Sequence, residues 1–96
     1  MNEVKMTGSI EKIKPKNNNV KIAKVSLKVF QDEIKYSIFR VSCENLLFDE
    51  LMKNFSVGDF IFVSGELRSS RFLYGEQFRY SIEIIAKEIK KVSREN

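Results

Sequence analysis

Within LRSSRFLYGEQFRYSIEI, residues 67 to 84, the cations Arg68, Arg71 and Arg79 stand among Phe72, Tyr74, Phe78 and Tyr80, around a single glycine. A solvent-exposed turn normally takes small polar residues, so this density of rings and guanidinium groups asks for a ligand. Flat side chains stack on nucleobases, each stack contributing about 1–3 kcal/mol, while Lys and Arg track the phosphates. The mixture recurs upstream. Lys24, Lys28 and Phe30 alternate in KVSLKVF, and Tyr36, Ile38 and Arg40 alternate in IKYSIFRVSC. The candidate nucleic-acid-binding set is therefore Lys24, Lys28, Phe30, Tyr36, Arg40, Arg68, Arg71, Phe72, Tyr74 and Arg79. The same exposed rings also suit a second use, covering a subunit or partner interface, because large apolar patches mark partner surfaces of either kind.

Catalysis finds few groups to work with. The chain has no histidine, the commonest general base and metal ligand. The lone Cys43 falls on the apolar side of its alternating segment, where a thiol is inert. Asp32 and Glu33 lie together in a turn, and no P-loop, G-x-S-x-G or dinucleotide fingerprint occurs. The chain reads as a non-enzyme that needs no cofactor.

Charge is unevenly spread. Residues 1–30 carry seven lysines against Glu3 and Glu11, a balance of +5; residues 31–66 come to −4 and residues 67–96 to +3. If the two basic ends meet in space they form a cationic face opposite an acidic one, the footprint expected for a polyanion. With 96 residues, 43% of them apolar and 31% charged, the chain can bury one core and avoids the signature of disorder. A single cysteine cannot make an internal disulfide. No apolar run approaches the roughly 18 residues of a membrane span, and MNEVKMTG lacks the layout of a signal peptide. These features describe a soluble, cytoplasmic, bacterial-type protein with no membrane partner.

The elements that must position these residues are mostly strands, since period-2 alternation dominates. VKMTGSIEKI sets Val4, Met6, Gly8 and Ile10 on one face; KPKNNNV, with Pro15, reads as a long polar, basic loop. KVSLKVF turns Val25, Leu27 and Val29 inward, QDE is a hairpin turn, and the next strand turns Phe39, Val41 and Cys43 inward. At NLLFDELMKNF the period changes. Leu47, Leu51 and Phe55, widened by Leu46, Phe48 and Met52, predict a helix over 45–55 capped by Ser42 or Asn45. FIFVSGEL and YSIEIIAKEI are the last strands, joined by the long aromatic hairpin, in which Tyr80 is expected half in the core and Phe78 against the hairpin's own stem. The expected fold is all-β with one helix: a five-stranded OB-fold barrel, the helix between strands 3 and 4, and a long strand 4–5 hairpin. Residues 1–92 form a single domain and 93–96 a frayed tail.

At these residues the chain resembles the bacterial single-stranded DNA-binding protein (SSB) family. VKMTGSIEKIKP resembles its first strand, KVSLKVF its second, GDFIFVSGELRSSRF its fourth strand with the start of the long hairpin, and RYSIEIIAKEI its closing strand. The resemblance implies an OB-fold, a homo-oligomer (dimer or tetramer) and sequence-tolerant binding of single-stranded DNA in replication, recombination or repair, with replication proteins as further partners. It places Phe72 at a base-stacking position and Arg40 at a basic one. Ile38 and Glu44 stand where the family usually has aromatics, tryptophan is absent, and the chain ends at SREN without the family's acidic tail. Those departures imply a short form of the PriB type or a mobile-element paralogue, for which a protein-interaction or primosome accessory role with little DNA affinity is the alternative. RNA binding, as in cold-shock-like barrels, is a third reading.

Overall fold

The computed structural model describes residues 2–17 and 19–93. Its elements are β1 (Val4–Asn17), β2 (Val20–Phe30), β3 (Tyr36–Glu44), α1 (Leu46–Asn54), β4 (Phe60–Tyr74) and β5 (Gln77–Lys91). The five strands close into a barrel in the order β1-β2-β3-β5-β4, with the helix between β3 and β4 as the OB-fold expectation requires. All neighbours are antiparallel except β3 and β5. The core comes from the alternation: Ile10, Val25, Leu27, Val41, Cys43, Ile61, Val63 and Ile84 are sealed inside, and Leu51 and Phe55 of the helix close one end.

Five local expectations are corrected. The polar loop at 14–20 is mostly strand: β1 runs to Asn17 and β2 starts at Val20, closed by Asn17 Oδ1 accepting the Asn19 N–H at 3.0 Å. The β1–β2 register shifts between Ile10 and Lys12 and between Pro15 and Asn17. Pro15 itself stays in the ladder opposite Ala23, but β4 accompanies β1 only from Val4 to Ser9, so at Pro15 the strand is an edge, where proline is tolerated. The helix stripe is narrower than predicted, since Leu46 and Met52 face solvent. Neither Ser42 nor Asn45 caps the helix with its side chain. Ser42 belongs to β3, and Asn45 turns the chain with a φ of 58°, a conformation that asparagine accepts better than most residues with a Cβ.

The other two corrections share a cause. Phe39 alternates inward but is 38% exposed, because the β3–β5 ladder consists only of Val41–Ile84 and Ser42–Ile85 and gives Phe39 no β5 partner. Tyr80, expected half in the core, is 70% exposed. The β4–β5 ladder runs from Ile61–Lys91 to Tyr74–Gln77, so the hairpin outruns the barrel and carries Tyr80 past the core. The molecule measures 48 × 32 × 27 Å along its principal axes, and every residue from Leu67 to Tyr80 is exposed.

Two glycines shape this arm. At the tip, Gly75 has a φ of +66°, a positive value suited to the first central residue of a two-residue hairpin turn. At the root, a Cβ on Gly65 would stand 2.1 Å from the Ile85 carbonyl oxygen. The ladder shifts register there, with Ser64 opposite Glu88 and Gly65 opposite Ala86. The QDE turn forms as expected: the Asp32 carboxylate accepts the N–H groups of Ile34 and Lys35 at 2.9 and 2.8 Å, and these bonds hold its pKa below the ordinary value. The expected fraying of 93–96 falls, beyond Ser93, outside the described residues.

Candidate nucleic-acid interface

Strand alternation and register decide which candidate residues share a surface. On the outer side of β2 and β3, Lys24 faces Ser42, Ser26 faces Arg40, Lys28 faces Ile38 and Phe30 faces Tyr36. β1 adds Lys14 opposite Lys24 and Lys12 opposite Ser26. Together they make an open groove of about 370 Å³ lined by Lys12, Lys14, Lys16, Lys24 and Arg40, with Pro15 and Ser26. Five cations around one groove is a strong local bias in a chain whose net charge is only +4, and such concentration focuses an attractive field on anions.

The cations are not equally available. Lys24 Nζ is held by both oxygens of Glu83 at 2.9 and 3.0 Å and by Ser42 Oγ at 3.2 Å. Lys28 lies 3.8 Å from Glu11, and Arg68 lies 3.9 Å from Glu44. Lys12, Lys14, Lys16 and Arg40 form no ion pair among the described residues. At the end of the β2–β3 ladder the Lys28 ammonium sits 4.2 Å from the Tyr36 ring centroid and 5.2 Å from that of Phe30. The two rings meet edge to face at 5.7 Å, yet both remain about half exposed, so they form an exposed aromatic pair carrying a cation.

The hairpin has two unlike faces. Phe72 pairs with Arg79 and Tyr74 with Gln77, and the Arg79 guanidinium lies 4.8 Å from the Tyr74 ring. Ser70 and Ser81 are bonded at 3.1 Å, and Arg68 faces Glu83. Because Glu83 reaches Lys24, this face continues the outer surface of the barrel. Arg71 lies on the other face, opposite Tyr80 and 4.3 Å from the Phe78 ring, with Leu73 as a neighbour. Phe78 therefore packs within the hairpin as expected, against Arg71. The structure brings nine candidates, Lys24, Lys28, Phe30, Tyr36, Arg40, Arg68, Phe72, Tyr74 and Arg79, onto one side and separates Arg71 from them.

Sequence reasoning missed Lys12, Lys14 and Lys16 as site residues. The signal was present: lysine at every second position is the strand period, and the loop assignment at Pro15 hid it. Cys43 is fully buried. Burial first, then the charges of Glu44 and Glu50, push its thiol up to about 11, which leaves it protonated and unreactive at neutral pH. The described residues hold no cluster of three or more His, Cys, Asp and Glu suited to a metal ion, and none of their helices is long and apolar enough to cross a membrane.

No protein-family model matches the sequence, and no curated protein matches it. Solved structures do. The mitochondrial single-stranded DNA-binding protein Rim1 of S. cerevisiae superposes with a TM-score of 0.79 at 12% identity, over 99% of this chain and 98% of that one. Plasmodium falciparum SSB, solved in complex with single-stranded DNA, gives 0.78 at 21% identity, over 97% and 96%. The N-terminal domain of PriB from Thermoanaerobacter tencongensis, a dimeric structure, gives 0.70 at 21% identity, over 97% and 98%. At these identities the shared property is the fold, over nearly the full length of both partners.

Proposed function

We propose that this chain, a single domain over residues 1–92, is a non-enzymatic module that binds single-stranded DNA with little regard to sequence. The observation that carries the reading is the groove of Lys12, Lys14, Lys16, Lys24 and Arg40, set on the same surface as the ring platforms of Phe30 and Tyr36 and of Phe72 and Tyr74. Phosphates lie along the cations and bases stack on the rings. The likeness in fold to proteins that bind single-stranded DNA supports it, and the likeness to dimeric PriB supports assembly of this chain as a dimer or tetramer. A place in replication, recombination or repair in the cytoplasm, alongside replication proteins, follows from the same reading.

Titration with oligo-dT at two or more salt concentrations tests it. Log affinity falls by about 0.7 per decade of salt for each phosphate neutralised, so the groove's four cations without ion-pair partners, together with Arg79 on the hairpin, predict a slope near −3.5. A second reading is favoured by the opposite hairpin face, where Leu73, Phe78, Tyr80 and Ile82 are exposed together: a protein-interaction module. An oligomer that ignores oligo-dT at low salt supports that reading and rejects the first.

A further inference from the structure

The cationic groove adjoins a second concavity of opposite character. Where β3 and β5 part after only two ladder pairs, a notch of about 390 Å³ opens between β3 and the root of the hairpin. It is walled by Ile38, Phe39, Leu67, Ile82 and Ile84, with Arg40 and Glu83 as its polar members. Its size is that of a small-ligand pocket. Ile38, Phe39, Leu67 and Ile82 are each more than one-third exposed, Ile82 reaching 68%, while Ile84 is buried, so the notch is an apolar concavity open to solvent.

Arg40 decides what fits. It lines both the groove and the notch, so an anionic group held in the groove is joined to whatever enters the notch. A polyphosphate matches the groove and wastes the notch, and an apolar peptide does the reverse. An unpaired nucleotide supplies both, a phosphate and a flat, largely apolar ring. Resting on the single-stranded DNA reading above, we infer that the notch is a base pocket that prefers bases with an exocyclic amino group, and that Glu83 is the residue that reads it.

The chemistry follows from what Glu83 can offer. Its carboxylate is an acceptor with about four lone-pair sites, and Lys24 Nζ binds it through both oxygens. That contact fixes its position and offsets its charge against an approaching polyanion, while lone pairs remain. Cytosine and adenine present an amino donor to such an acceptor. Thymine's one donor on its pairing edge lies between two carbonyl oxygens, which would face the carboxylate. One hydrogen bond separates the cases, so the expected preference is about fivefold.

The test compares oligo-dC with oligo-dT of equal length at neutral pH, on the wild-type chain and on Glu83→Gln. Wild type should bind oligo-dC about fivefold more tightly, and Glu83→Gln, which adds a donor and frees Lys24, should bring the ratio near one even if both affinities rise. Ile82→Ser, at a residue too exposed to matter for folding, should weaken binding of both oligomers with the salt slope unchanged. Equal wild-type affinities, a preference that survives Glu83→Gln, or no effect of Ile82→Ser would each overturn the base pocket while leaving DNA binding in place. Failure of both oligomers to bind would overturn the function itself and the pocket with it.

Discussion

Val63 and Leu73 hold equivalent places in the alternation of β4, yet Val63 is sealed in the barrel and Leu73 lies mostly in water. The same contrast separates Ile84 from Ile82 on β5. In the barrel, alternation sorts apolar from polar, and burial of the apolar set contributes roughly 25 cal/mol per Å². Along the hairpin the alternation persists with no core to reward it. Cross-strand contacts take over: Arg71 on Phe78, Arg79 on Tyr74, Ser70 with Ser81, each worth roughly 0.2–1 kcal/mol. One pair of strands thus serves two ends, stability at the base and ligand contact beyond it, and the two should respond to mutation independently.

The largest effect expected is on the barrel. Leu27→Ala, at a fully buried residue, should lower unfolding free energy by about 2–5 kcal/mol, read from denaturant midpoints. Oligo-dT affinity under conditions where the variant stays folded should hardly change. A loss of binding matching the loss of stability would show that core and arm are one cooperative device. Next comes Phe72→Ala, which should weaken oligo-dT binding by about 1–3 kcal/mol and leave the midpoint where it was; unchanged affinity would remove Phe72 from the site. The smallest effect sharpens the division within the hairpin. Arg79→Ala should make the salt dependence shallower by about 0.7, whereas Arg71→Ala, on the opposite face, should leave the slope alone. Equal slopes for the two variants would mean that the strand wraps both faces.

What could be read in advance was whatever depends on neighbours in the chain. The inward sets Val25, Leu27, Val29 and Val41, Cys43 follow from period 2, and the helix follows from the shift in period at Asn45. What depends on where a partner strand stops was hidden. Phe39 and Tyr80 alternate correctly and are nevertheless exposed, because the ladder beside Phe39 is two pairs long and the core ends before Tyr80. Pro15 misled for a related reason, since β1 becomes an edge there only because its ladder with β4 ends at Ser9. The candidate site was legible as a composition, but its electrostatics were not. Lys24 looks free in KVSLKVF and is bound by Glu83, 59 positions away.

The register shift at Gly65 works as a joint between base and arm. An extra residue on β5 bends the ribbon locally, and the absent side chain lets the two backbones close at that point. The arm's length and decoration beyond the joint are therefore free to vary without any rearrangement of the interior. A designer could graft a different ribbon there, or evolution could extend this one, and the body would tolerate the exchange.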